Sequence, residues 1–449
     1  MSYQRLSMSP FVRLGAVAGT RSATDLAIWA VARPLQVLMA APSVLFIAAL
    51  TIMLFRPPDL QFYSLDRVAL CGLIFVTFLR TFVEHQSSWI PGPVTLPMLG
   101  LVLLALSGLA TETYEAQNWS LFAAKWLVPY ILYQLAGLAF QDTKSVSMFE
   151  IFSLVVLAYL SLTAIFFLID ARSLIFPRYI LDESLGIHAD RARGPFLQAV
   201  ANGVTLNLLG LIALDSFRRK RLRGLLALLF AAALPVAILA TKTRAVWASF
   251  AGSLVVVPIL CSSSRVKRAC LSILAASGIC ITTFLVFGDT NTSLSDRLQE
   301  RGPVEFRMGM YAAGWEMFLD KPIVGWSANS IQPELARRIS DFHPPYFLFH
   351  NTYLEIAVKH GLLGLGLYVW LIVDLFRLGG RRRKFVPAAD GSFLDTEFRR
   401  LWPLLVIVYL FNASFVVMGY QFVNGLLFTI AGMLASQNRL ARSNQAHLE

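Results

Sequence analysis

His350 and Asn351 stand where a long polar segment runs into an apolar one. A histidine at such a junction can meet a water-borne hydroxyl and a membrane-borne partner together. A neutral imidazole poised near pH 7 takes a proton from a hydroxyl as that oxygen attacks. Asn351 could orient the imidazole or the hydroxyl. The structural alternative is a loop histidine that caps the following helix or lies against Phe347, Phe349 and Tyr353. His343, ahead of Pro344 and Pro345, is a second candidate for the same chemistry.

Three separate segments carry cations of a different use. Arg191 and Arg193 lie in Asp-Arg-Ala-Arg-Gly-Pro-Phe, Lys242 and Arg244 in Thr-Lys-Thr-Arg-Ala-Val-Trp, and Arg307 opens a stretch that runs to Trp315, Pro322 and Gly325. The planar guanidinium binds phosphate oxygens in pairs and stays charged at every working pH. Converging guanidinium groups would stabilise the charge that grows on a departing pyrophosphate. Each arginine taken alone could instead pair with Asp190, Glu300, Glu305 or a lipid headgroup. Glu355 and Lys359, four apart on one helix, are expected to pair with each other. The isolated Asp59 and Asp66 lack the spacing of metal ligands and read as solvated loop residues, so the expected chemistry needs no metal and no cofactor.

These side chains must be positioned by apolar elements. The chain has 449 residues, 56% of them hydrophobic and only 15% charged, with a mean hydropathy of +0.62. Soluble domains carry more charge than this, and the bilayer is the solvent that absorbs the excess. Apolar runs near the 20 or so residues that a crossing helix needs occur at 34–55, 68–83, 87–111, 119–140, 151–169, 195–214, 224–241, 245–264, 269–288 and 353–376. The run 401–438 is long enough for two. The expectation is an all-α polytopic membrane protein of about 12 transmembrane helices, a single integral membrane domain over 1–449. The net charge of +12 does not indicate nucleic acid. Its basic runs at 218–221, 265–268 and 381–384 sit in short gaps between spans, as positive-inside signals do. Alternating from a cytoplasmic N-terminus places those gaps inside. It makes 1–33 and 437–449 cytoplasmic tails, and 170–194 and 289–349 periplasmic, the latter a large loop region. The residues 309–318 have helical spacing and are expected to lie on the membrane surface or above the bundle. No cleavable signal peptide is apparent. The four cysteines read as packing residues. The outer arginines run against the positive-inside rule and need another reason to be there.

The spacing His350-Asn351, nine residues, Gly361-x-x-Gly364 resembles the signature of the O-antigen ligase and polymerase family. So do Arg191-x-x-Gly194 followed by Phe196 and Asn202, with Ala201 where the family has proline, then Thr243-Arg244-Ala245, and Arg307…Trp315…Pro322-x-x-Gly325. The resemblance covers about residues 190 to 370. It implies a GT-C-like fold in the bacterial inner membrane with the active site facing the periplasm. It implies a metal-independent, inverting glycosyltransferase whose donor is a glycan on undecaprenyl pyrophosphate and whose acceptor is lipid A-core oligosaccharide. His350 would be catalytic. Arg191, Arg193, Arg244 and Arg307 would hold the pyrophosphate, supported by Asn351, Lys242 and Trp315. The partners would be these two substrates and membrane lipids. A Wzy-type polymerase of O-antigen or exopolysaccharide is the alternative within the family. A transporter is the alternative outside it, although transporters set ionisable groups in mid-span and most charges here sit at span ends.

Overall fold

Apolar stretches fold into helices because a buried backbone must satisfy its own hydrogen bonds, and a few of them begin at a polar cap. The computed structural model describes residues 39, 41–56, 65–85, 87, 92–186, 188–287, 302–339, 349–380 and 392–446. In chain order these form α1 (Pro42–Leu54), α2 (Leu65–Val83), α3 (Thr95–Ala110), α4 (Ala116–Ala139), α5 (Thr143–Leu168), α6 (Ala199–Arg218), α7 (Gly224–Ala240), α8 (Arg244–Leu260) and α9 (Ser264–Phe287). After them come α10 (Gly302–Asp320), α11 (Ala328–Arg338), α12 (Thr352–Leu378), α13 (Thr396–Ala413) and α14 (Gln421–Ala446). Among the described residues there is no strand. Asp142 caps α5 by accepting from the Ser145 amide at 2.9 Å, and Asp395 caps α13 by accepting from the Phe398 amide at 2.9 Å.

A helix lies in each segment expected to span, yet among the described residues four are long and apolar enough to cross a membrane: α4, α5, α6 and α12. α1, at 13 residues, and α7, at 17, are apolar throughout but short. The fold is therefore that of an α-helical membrane protein, with fewer full-length spans among the described residues than the apolar runs suggest.

The bundle has two ends. At one, Arg219 reaches Glu150 of α5 at 2.6 Å and Asp215 at 2.8 Å, while Arg218 joins Asp215 to Asp395 at 2.7 Å. This buried network staples α5, α6 and α13. The 437–446 stretch, expected as a tail, continues α14, and Arg399 donates to Gln437 and Asn438 there. α4 lies along α14, where Ser436 donates to the Gly137 carbonyl at 2.8 Å and Asn424 to that of Ala124 at 3.1 Å.

At the other end lie 170–194, a series of short 3₁₀ turns, and the helices α10 and α11. Met310, Ala313, Met317 and Phe318 of α10 bury against Ile331, Leu335, Phe349, Ala357 and Val358, a small second core over the start of α12. The expected helix at 309–318 falls within α10 and packs above the bundle. The 1–33 tail and His343 lie outside the described residues, as do 289–301 and 340–348 of the large loop region.

Candidate active site

The backbone at His350 is held from three sides. Its φ is +49°, a left-handed conformation that costs a residue with a Cβ roughly 1–2 kcal/mol. The Tyr311 hydroxyl of α10 donates toward the carbonyl oxygens of His350 and Ser414, each at 3.3 Å. Asn351 caps α12, its Oδ1 accepting from the Tyr353 amide at 2.9 Å and the Leu354 amide at 3.1 Å. The Thr352 hydroxyl donates to the Val416 carbonyl at 2.8 Å and accepts from the Met418 amide at 3.0 Å. The cap is thus Asn351, whose oxygen serves the helix, and the imidazole of His350 is left for other work. That imidazole is half-buried. Burial first, then the positive charge of Arg307 and the proximity of His188, push its pKa down to about 4. It is neutral, as expected, but is not poised near pH 7.

Arg307 and His188 act on this imidazole, and two of the arginine-bearing segments are tied to each other. The Ala192 amide donates to the Ala240 carbonyl at 3.0 Å, and Asn202 Nδ2 donates to the Ala192 carbonyl at 2.9 Å. The loop of Arg191 is thereby tied to the end of α7, two residues before Lys242 and four before Arg244. Arg191 is half-buried, 4.0 Å from Asp190, and Arg244 is exposed at the start of α8. His188 and Lys242 share the positive φ of His350, at +56° and +47°. Such outliers collect where the fold over-determines a functional site.

Arg193 departs from expectation. Its side chain is 1% exposed, and its guanidinium donates to the carbonyls of Leu185, Ile180 and Asp182, the last two at 3.0 and 2.9 Å. The fork is spent on its own loop and does not extend to a phosphate. Trp315 is 55% exposed and leans on Phe318. Asp66, expected in solvent, is buried and paired with Arg56 at 3.3 Å. Asp59 lies outside the described residues.

The paired glycines serve packing. At Gly361 α12 breaks, with φ +60° and ψ −157°, a conformation open essentially to glycine alone. The Pro322 carbonyl accepts from the Leu362 amide at 2.7 Å, and the Trp326 amide donates to the Val358 carbonyl at 2.8 Å. A methyl on Gly361 would stand 2.2 Å from the Ile323 carbonyl oxygen, and one on Gly325 would stand 2.5 Å from the Val358 carbonyl oxygen. The Pro322-x-x-Gly325 turn therefore docks into the kink of α12.

Residues 226–369 match the family model of the O-antigen ligase. This segment of the chain is similar to the O-antigen ligase family. The ligase match contains Lys242, Arg244, Arg307, His350 and the docked turn, and begins after Arg191. No curated protein matches the chain. The family is one of glycosyltransferase-like enzymes acting on lipid-linked glycans and lipopolysaccharide. Two features near the matched segment escape the sequence. His188 stands in no motif. Lys125 reads as a blemish in an apolar run, but it pairs with Glu355, 230 residues away, beside the expected pair of Glu355 and Lys359 at 2.7 Å.

Proposed function

We propose that the chain is an O-antigen ligase that moves a glycan from undecaprenyl pyrophosphate to lipid A-core oligosaccharide on the periplasmic face of the inner membrane. The observation that carries this reading is the neutral imidazole of His350, held on a fixed backbone within the field of Arg307 and beside the loop of His188 and Arg191. The acceptor hydroxyl attacks the anomeric carbon, and its proton passes to His350. The bond from that carbon to the pyrophosphate oxygen breaks on the opposite side, so the configuration inverts. Arg191, Arg244 and Arg307 receive the pyrophosphate as its negative charge grows. That same charge offsets the field of Arg307, which lifts the His350 pKa from its depressed value and makes it a stronger base once the donor is bound.

Deleting the gene in its native host and separating the lipopolysaccharide on a gel tests the reading. Loss of long-chain material with lipid-linked polymer still accumulating is the expected result. Core bearing a single repeat would show a polymerase instead, and unchanged lipopolysaccharide with lost secreted polysaccharide an exopolysaccharide polymerase.

A further inference from the structure

A cavity of about 690 Å³, counting its open mouth, lies beside the first turns of α12. Lys125, Glu355, Lys359 and His360 line it, with Trp126 and Trp326 as aromatic walls. Lys125 occupies a π-helical turn, Ala123–Leu127, within α4; such turns are frequent at functional sites. The side chains of Lys125 and Glu355 are only 10% and 6% exposed. Two ammonium groups share the one carboxylate of Glu355, so the cluster holds an excess positive charge. Burying a charge without a counter-ion is costly, and ionisable groups placed within spans mark ligand sites. Glu112 also lines the cavity and keeps its negative charge, its carboxylate held by the Ala328 and Asn329 amides at 2.6 and 3.1 Å and bonded to neither lysine. The transfer chemistry at His350 uses none of these groups.

We propose that this cavity is a subsite for a phosphate or carboxylate borne by a sugar. The lysines would take the anion and the indoles the faces of the ring. The link to the reacting centre is short. Val417 and Gly419 line the cavity, while their neighbours Val416 and Met418 are bonded to Thr352, two residues from His350. A sugar seated here would belong to a chain that continues to His350. That part of the inference rests on the transfer proposed above; the anion site does not.

The test uses the full chain in zwitterionic nanodiscs, with thermal unfolding followed in glucose 6-phosphate and in glucose. Glucose 6-phosphate is expected to raise the melting temperature and glucose to leave it unchanged. Lys359→Gln should abolish the rise. Glu355→Gln should enlarge it, because a competing carboxylate is gone; a merely structural cluster would lose stability with no gain from the ligand. If Glu355→Gln does not fold, the half-buried Lys359→Gln decides the matter. A rise that survives Lys359→Gln but vanishes in Arg244→Gln would put the phosphate at the arginines and overturn the proposal. Stabilisation by phosphatidylglycerol discs with none by glucose 6-phosphate would assign the cavity to a lipid headgroup and overturn its sugar half. Anion binding by a chain that transfers no glycan would sink the ligase reading and leave this one standing.

Discussion

The positive charge of Arg307 is what a departing pyrophosphate needs, and it also weakens His350 as a base in the empty site. The two effects can be separated by titration. Only the neutral imidazole accepts a proton, so kcat/KM should fall as pH drops through about 4. Arg307→Gln should move that inflection upward toward the ordinary histidine range while slowing transfer; an unmoved inflection would show that some other group titrates. His350→Ala should reduce transfer on the order of 100-fold, the scale of a lost general base, with little change in melting temperature. His350→Gln retaining most activity would leave His350 only a positioning role. Arg191 and Arg193 divide in the same way. Arg191→Lys should lose activity in a stable protein, because it keeps the charge and loses the paired fork. Arg193→Leu should unfold its loop, since each buried carbonyl left without a partner costs about 1–3 kcal/mol; a wild-type melting temperature would contradict that clamp. Sequence could not tell these two arginines apart, because they stand two residues apart in one loop. The difference is made by turns at 178–186, which bring three carbonyls to one guanidinium and not the other.

α12 is two rods joined at Gly361, the first carrying the Asn351 cap and the second crossing the bundle. Gly361→Ala should cost about 1–3 kcal/mol from backbone conformation alone, and more from its collision with Ile323. The expected readouts are a lower melting temperature and a drop in transfer without a shift in the His350 titration; a stable, active variant would show the docked turn to be dispensable. Helix positions were legible because apolar runs announce themselves. The function of Gly361 was not, since a motif read for chemistry gives no sign that its glycine admits another segment's backbone. Lys125 was misread for a related reason: its partner lies on a helix far along the chain.

On the scale of the whole molecule, the staple of Arg218, Arg219, Glu150, Asp215 and Asp395 and the site of His350 occupy opposite ends of the bundle. The basic run at 218–221 reads as a topology signal, and it is also buried architecture, a second role that only the folded carboxylates reveal. The basic clusters at 218–221 and 265–268 lead us to propose that the end bearing His350 meets the periplasm. Cysteines placed singly at the exposed Ala336 and Gly380, in a cysteine-free background, should report it. A reagent that cannot cross the membrane should label 336 from outside intact spheroplasts and leave 380 untouched. The reverse pattern would invert the molecule and place the site in the cytoplasm.

The docked turn also sets what a mutant lineage can do. A methyl at Gly203 would press on the Val246 side chain, 2.5 Å away. A smaller residue at 246 is therefore an available suppressor of Gly203→Ala. At Gly361 and Gly325 the colliding atoms are main-chain atoms, and no exchange of side chains removes them. Selection for restored transfer in Gly203→Ala should return second-site changes at 246. The same selection in Gly361→Ala should return reversions to glycine alone, and sequencing the survivors of both would tell the two kinds of constraint apart.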